Sequence, residues 1–372
     1  MTIYICLLAF LFVAYIYDHS HTSKGDPEKR SNAALLAALA AVFLVSALRA
    51  SSVGRDIPGY KEIYELTKEV KWSDYNYVYF EKGYVFLMKV CTSVGLDFQG
   101  FLAVCHFIIL TPIYFFIRRY SRDKVLSVFV FVCYMFFEFT LTGLRQATAM
   151  SIALVGFMVL MSKFKGRWLW FISIIFLAAQ FHKSAYICLL ILPFLLIHDI
   201  GIFTLLIVAT SAISLIARRQ VLTLIKSFFE KEDMSVDKGL HIGLNLILLM
   251  ILAALFLLAR RSKPLTGEAR EKKEKKRLSN DDPDDVLLML FMLSIVFALV
   301  FGESSTARSF MYYNMTITVL LPNSMKKISG GNYLLVGLFM IAALIAFFFY
   351  NSLSGGSFDI TPYRFFWQPA GV

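Results

Sequence analysis

The sequence predicts an all-α, polytopic membrane protein with about twelve transmembrane helices plus one re-entrant or interfacial segment. Three observations predict it. Of the 372 residues, 58% are hydrophobic and only 17% charged, where a soluble domain carries roughly 25% charged residues. The mean hydropathy is +0.66. Apolar runs of about the length a bilayer demands, roughly 20 residues, recur along the chain, for example Val286 to Gly302 and Asn332 to Tyr350.

Read in order, the predicted spans are 2–17, 32–50, 100–117, 124–142, 145–162, 167–181, 184–198, 200–217, 240–260, 286–302, 306–322 and 331–351. The first, Ile3 to Tyr17, has no basic residue before it and no small-residue cleavage site after it, so it reads as a retained span. The apolar stretch 84–96 is short and contains Lys89; it reads as re-entrant or lying along the surface. The whole chain, 1–372, reads as a single membrane domain, interrupted by an external loop at 51–83 and a charged cytoplasmic linker at 261–285. No fixed-period repeat is visible.

The net charge of +11 raises nucleic acid as a partner, but in a membrane protein it reflects basic residues gathered in cytoplasmic loops. Lys24, Lys29 and Arg30, then Arg118, Arg119, Arg122 and Lys124, then Lys163, Lys165 and Arg167, then the run from Arg260 to Arg277, then Lys326 and Lys327 all fall on one side if 84–96 does not cross. That side is the cytoplasm, and both termini lie outside. The KKEKKR run reads as a topology determinant near anionic lipid. The five cysteines, Cys6, Cys91, Cys105, Cys133 and Cys188, all sit in apolar segments without a CxxC pair, which indicates packing residues and neither disulfides nor zinc.

Ionisable residues within or beside spans are costly and are functional candidates by default. Here they gather on the non-cytoplasmic side. Arg145 opens a span in TLTGLRQATAM, and Glu138 lies seven residues earlier, on the same face if the helix runs through Gly143. His182 and Lys183 sit in QFHKSAY, and Glu303 and Arg308 in FGESSTARSFMYYNM, at two outer hairpins. Arg55 and Asp56 in SSVGRDIPGYKEIY and Glu81 in FEKGY belong to the external loop. Each has a plainer reading: arginines at span ends snorkel to headgroups, His182 is an ordinary interfacial histidine, Glu81 pairs with Lys82, and the tyrosines form an aromatic belt. Their joint placement on one face weighs against those readings.

The chemistry that suits such a set is transfer involving a phosphorylated lipid. A guanidinium grips phosphate through a planar fork and stays charged when partly dehydrated. Two of them stabilise charge growing on a departing pyrophosphate. A histidine takes a proton from an attacking hydroxyl near neutral pH. There is no HExxH, P-loop, GxSxG or DxD-type metal site. Glu62, Glu65 and Glu69 interleave with Lys61 and Lys68 as one face of a short amphipathic helix, not a metal cage, so no metal or other cofactor is expected.

At these residues the sequence resembles the EpsG family of polysaccharide polymerases, functional relatives of the Wzy polymerases. The resemblance rests on SVGRDIPGYKEIY followed by an aromatic stretch to EKGY, then GLRQATAMSIAL, FHKSA, TARSFMYYN and TPYRF, in that order. It implies a GT-C-like glycosyltransferase that joins oligosaccharide repeat units carried on undecaprenyl diphosphate outside the cytoplasmic membrane. Capsule, exopolysaccharide and O-antigen are the polymers in question. It implies Arg145, His182 and Arg308 as functional positions, with Asp56 and Glu81 beside them. On this reading Arg145 and Arg308 bind the diphosphate and His182 is the base or orients the acceptor. Asp56 or Glu81 is the alternative base, and Arg55, Glu138 and Tyr312 give support. Partners are the lipid-linked donor and acceptor and membrane lipid, with a chain-length regulator and a flippase as candidates, and no nucleic acid. The rival classes are a flippase or transporter, which tends to show internal repeats and mid-membrane charges, and a membrane acyltransferase, whose donor lies on the cytoplasmic side.

Overall fold

The computed structural model describes residues 1–20, 26–74, 78–217, 220, 223, 244–261, 278–279, 281–301, 305–353 and 358–368. Lys24, Tyr75, Tyr77, Glu303 and residues 262–277 of the charged linker lie outside them. Among the described residues the structure is helical, with one isolated antiparallel bridge between Arg49 and Phe365. The helices are α1 (Thr2–His19), α2 (Pro27–Ala47), α3 (Ile57–Glu69), α4 (Lys82–Ser93), α5 (Phe98–Tyr120), α6 (Lys124–Cys133), α7 (Phe136–Thr142), α8 (Leu144–Leu160) and α9 (Arg167–Ala179). A 3-10 segment, Lys183–Leu190, leads into α10 (Ile191–Phe194) and α11 (Ile200–Ile216). Then come α12 (Leu244–Arg261), α13 (Pro283–Phe301), a second 3-10 segment at Ser305–Phe310, α14 (Met311–Asn314), α15 (Ile317–Ser329) and α16 (Tyr333–Leu353).

Local chemistry sets many of these boundaries. Asp26, Asp97, Asp123 and Asp199 each accept from a backbone N–H in the first turn of α2, α5, α6 and α11, which satisfies amides a helix start leaves unpaired. Between α6 and α7 the chain turns by 55° through Met135, whose φ is 67°. A second corner at Gly143 separates α7 from α8.

The core is built by α5, with α2 and α8 packed on it and α1 and α9 outside them. All ten residues of α6 and all seven of α7 are buried. Helices apolar all round belong inside a bundle, and α16 and α1 cover this pair. The 23 residues of α5 give it a length of about 35 Å, which defines two ends of the molecule. At the Phe98 end, the Gln99 side chain donates to the backbone oxygens of Ala47 and Arg49. At the Tyr120 end, Asn323 donates to Tyr120 O at 2.9 Å, and ion pairs lock the neighbouring helices: Lys327–Asp284 at 2.7 Å, Arg122–Asp284 at 3.3 Å and Arg260–Asp285 at 2.8 Å. A cavity of about 50 Å³ lies among these pairs, its cations already neutralised by its acids.

The described residues show fewer membrane-length helices than the twelve spans expected from the sequence. Among the described residues four helices are long and apolar enough to cross a membrane: Thr2–His19, Pro27–Ala47, Phe98–Tyr120 and Tyr333–Ser352; the bent pair α6–α7 would make a fifth. Two of the apolar runs predicted as further spans contain corners of the fold. Stretch 184–198 is a 3-10 segment followed by four helical residues, and 306–322 is divided among a 3-10 segment, α14 and α15. Hydropathy counts apolar residues without seeing where the backbone turns. A short helix buried among others need not span the bilayer by itself.

Candidate functional site

The Phe98 end of the bundle carries the candidate residues. Arg145 sits in the first turn of α8, directly after the Gly143 corner. Its Nη1 donates to Glu81 Oε2 at 2.5 Å. Glu81 itself immediately precedes α4. The next turn explains why it reaches the site: Gly83 N–H donates to Gln180 O at 2.9 Å, and a Cβ on Gly83 would lie 2.8 Å from that same oxygen. Only glycine lets the start of α4 touch the end of α9, and the residues just past Gln180 are His182 and Lys183. Lys183 N–H donates to Glu81 Oε1 at 3.4 Å. Burial opposes ionisation of Glu81, but the charge of Arg145 beside it outweighs this and holds the carboxyl below its ordinary value.

His182 caps the 3-10 segment by accepting from Ser184 N–H. Its Nδ1 also meets Ser184 Oγ at 2.5 Å, and that hydroxyl meets Tyr312 Oη at 3.1 Å. An amide can only donate, so Nδ1 is the acceptor and the neutral ring carries its proton on Nε2. In that form His182 presents a donor.

Arg308 forms the second half. Its Nη1 lies 3.5 Å from Asp56 Oδ2, and its backbone oxygen accepts from Gln146 Nε2 at 3.0 Å. Because Gln146 follows Arg145, one turn of α8 ties the two arginines together. Both guanidinia rest on aromatic rings. Arg145 lies 4.1 Å from the Phe80 centroid and 5.9 Å from that of Tyr60; Arg308 lies 5.7 Å from Phe139 and 5.9 Å from Phe358. Such stacking keeps a guanidinium plane in place without using its hydrogen-bond donors.

Phe358 arrives from a distant part of the chain. Thr142 Oγ1 and Arg55 N–H donate to Phe358 O at 3.0 Å each, and Gly54 N–H donates to Asp359 O at 2.9 Å. Arg55 pairs with Asp359 at 2.9 Å through exposed side chains, a contact of small energetic weight. Arg55 therefore fastens segment 358–368 to the loop and does not join the two arginines at their acids.

Two further expectations change. Glu138 does not share a face with Arg145, since the helix stops at Thr142; it is buried and accepts from Ser352 at 2.7 Å. Glu81 pairs with Arg145 and not with Lys82. The short amphipathic helix over Glu62, Glu65 and Glu69 is α3, where Glu65 pairs with Lys68. Among the described residues no group of three or more His, Cys, Asp or Glu side chains could hold a metal ion, and the described cysteines are all free thiols.

Sequence reasoning missed Arg49 and His106. Arg49 is fully buried and donates to Ser46 O at 2.6 Å, Val53 O at 3.3 Å, Leu141 O at 3.1 Å and His106 Nε2 at 3.1 Å. His106, whose Nε2 accepts from Arg49, donates through Nδ1–H to Leu102 O at 2.8 Å. The guanidinium thus gathers carbonyls from the C-terminal ends of α2 and α7, where the helix dipoles favour a cation. It joins the loop that carries Asp56 to the corner that carries Arg145. An arginine closing an apolar run looks the same in sequence as one that snorkels, so nothing in SALRASSV singles it out.

A bundle of apolar helices with two ring-backed arginines, two acids and a histidine collected at one end defines a membrane protein with a charged polar site. The chain belongs to the EpsG family, whose model matches residues 32–365. Membership points to polysaccharide biosynthesis, and the matched region includes every candidate residue from Arg49 to Phe358. A search of the curated proteins and a search of the solved structures each found no match.

Proposed function

We propose that this chain is a membrane-embedded, inverting glycosyltransferase that polymerises oligosaccharide repeat units carried on undecaprenyl diphosphate. Its site would face the non-cytoplasmic side of the cell membrane, in a GT-C-like arrangement. The observation that carries the reading is the pairing of two arginines, Arg145 and Arg308, linked through Gln146 and each backed by aromatic rings. Two fixed guanidinia at one site suit the two phosphates of a diphosphate leaving group.

In the reaction, a hydroxyl oxygen of the acceptor repeat unit attacks the anomeric carbon of the donor glycan. The bond from that carbon to the phosphate oxygen breaks, and undecaprenyl diphosphate leaves with its bonding electrons, stabilised by Arg145 and Arg308. The hydroxyl proton passes to a carboxylate. Glu81 is the acid beside the His182 hairpin, its Oε1 accepting from Lys183 N–H, while the Nε2–H form of His182 donates to and orients the acceptor. The clustered charge at one end, with no internal repeat, favours this reading over a transporter.

The test is the lipid-linked material in a strain lacking the gene. A polymerase leaves single repeat units on undecaprenyl diphosphate outside the membrane and no long polymer. Accumulation of those units on the cytoplasmic side would instead mark a flippase and overturn the proposal.

A further inference from the structure

We infer that Glu81 and Asp56 are stand-ins for the diphosphate: they compete with it for the same two guanidinia, and substrate binding sets them free. The inference rests on the assignment of Arg145 and Arg308 to the diphosphate.

Four features of the site argue for it. The acids come from the two ends of one loop region, Asp56 just before α3 and Glu81 just before α4, and each meets a different arginine. Both pairs are incomplete. Arg145 uses one terminal nitrogen on Glu81, while its Nε is buried without any hydrogen-bond partner; the Arg308 side chain makes, among the described residues, a single hydrogen bond at 3.5 Å. A guanidinium in its strongest anion complex engages two oxygens through two parallel N–H bonds, and a phosphate offers the second oxygen that Glu81 does not. The aromatic rings supply the third feature. Phe80 and Phe139 hold the guanidinium planes whether or not the acids are present, so a departing carboxylate leaves the arginines in place. Charge is the fourth. Two carboxylates carry the charge of a diphosphate diester, so the incoming diphosphate leaves both guanidinia matched by negative charge.

The exchange also orders the reaction. While Glu81 is bound to Arg145 its carboxylate is held in its charged form and is a poor proton acceptor. Once the diphosphate displaces it, Glu81 loses its guanidinium partner, keeps Lys183 N–H and His182 as neighbours, and becomes a stronger base. The base is therefore prepared by the arrival of the donor.

The test measures binding of farnesyl diphosphate to the purified full chain in nanodiscs. Removing a competitor removes the fraction of sites it blocks. Glu81→Gln should therefore bind the probe more tightly, on the order of ten-fold, while polymer formation falls. Asp56→Asn should tighten binding in the same direction through the other arginine, and it carries the test if Glu81→Gln does not fold. Glu81→Asp, which keeps the charge, should bind no more tightly than wild type. Glu62→Gln, an exposed acid on α3, should leave affinity unchanged. Unchanged or weaker binding by Glu81→Gln and Asp56→Asn overturns the competition. So does equal tightening by Glu62→Gln, which would mark a general field effect. Failure of the underlying assignment looks different: Arg145→Met and Arg308→Met would then bind the probe as wild type does, instead of losing affinity.

Discussion

Gly54 offers the sharpest test of how the site is assembled. Its φ is +105°, and a Cβ there would stand 2.2 Å from Leu141 O and 2.8 Å from Ile57 Cγ1. Ordinary contact between a methyl carbon and a carbonyl oxygen is about 3.4 Å, so Gly54→Ala forces a displacement of about 1 Å. The backbone adds strain of about 1–3 kcal/mol at this φ. The displacement has no free direction. Gly54 N–H is bonded to Asp359 O, Arg55 N–H to Phe358 O, and Leu141 O is held by Arg49. Either the loop bearing Asp56 moves away from Arg308, or the end of α7 moves and carries the Gly143 corner and Arg145 with it. A 1 Å error at a reacting centre costs about 100-fold in rate. Turnover of lipid-linked repeat units by purified Gly54→Ala should fall by about that factor, with protein still present in the membrane. Gly59→Ala, where nothing lies within 4 Å of the new Cβ, should behave as wild type. Wild-type turnover by Gly54→Ala would refute the claim that this loop and the α7 corner are held in register for activity.

Four other outcomes are expected. Arg145→Lys and Arg308→Lys should each lose most polymer formation at normal protein level, because a point charge replaces a planar fork; near-normal polymer would return that arginine to a snorkelling role. His182→Ala should keep binding of the lipid diphosphate and cut turnover by roughly 100-fold or more, whereas collapse of binding would make it a diphosphate ligand. Purified protein should join repeat units in excess chelator, since two arginines supply the charge a divalent cation would supply; activity lost with EDTA and restored by magnesium or manganese would contradict this. A cysteine at Ser73 should react with an impermeant thiol reagent added to intact cells and one at Ser279 should not, and the reverse pattern would invert the topology.

Much of the site could be read from the sequence because polar residues stand out against apolar runs. Arg145, His182, Glu81, Arg308 and Asp56 all surfaced that way, and the structure brings Arg145 to Glu81 and Arg308 to Asp56 across separations of 64 and 252 residues. The pairings themselves were not legible. Helical spacing offered Glu138 as the partner of Arg145, and the Gly143 corner removes it. Nor did hydropathy reveal that α6 and α7 are interior helices, because lipid and protein interior select the same apolar residues. Arg49 escaped for a related reason: its partners are backbone carbonyls, which every residue has and no motif marks.

The closure of the site by segment 358–368 has a consequence for how the protein comes into being. Arg55 meets Asp359, 304 residues further along the chain, and Tyr4 of α1 donates to Ile360 O at 2.8 Å. The ring that backs Arg308, Phe358, is made after α16 and long after the loop it completes. During synthesis the early helices enter the bilayer with this wall absent, so the surroundings of Arg308 are complete only once α16 has been inserted and its trailing segment has returned to the loop. A chain still emerging from the ribosome therefore lacks part of the candidate site, and a tag or fusion that pulls on residues 358–368 should hold it in that incomplete state.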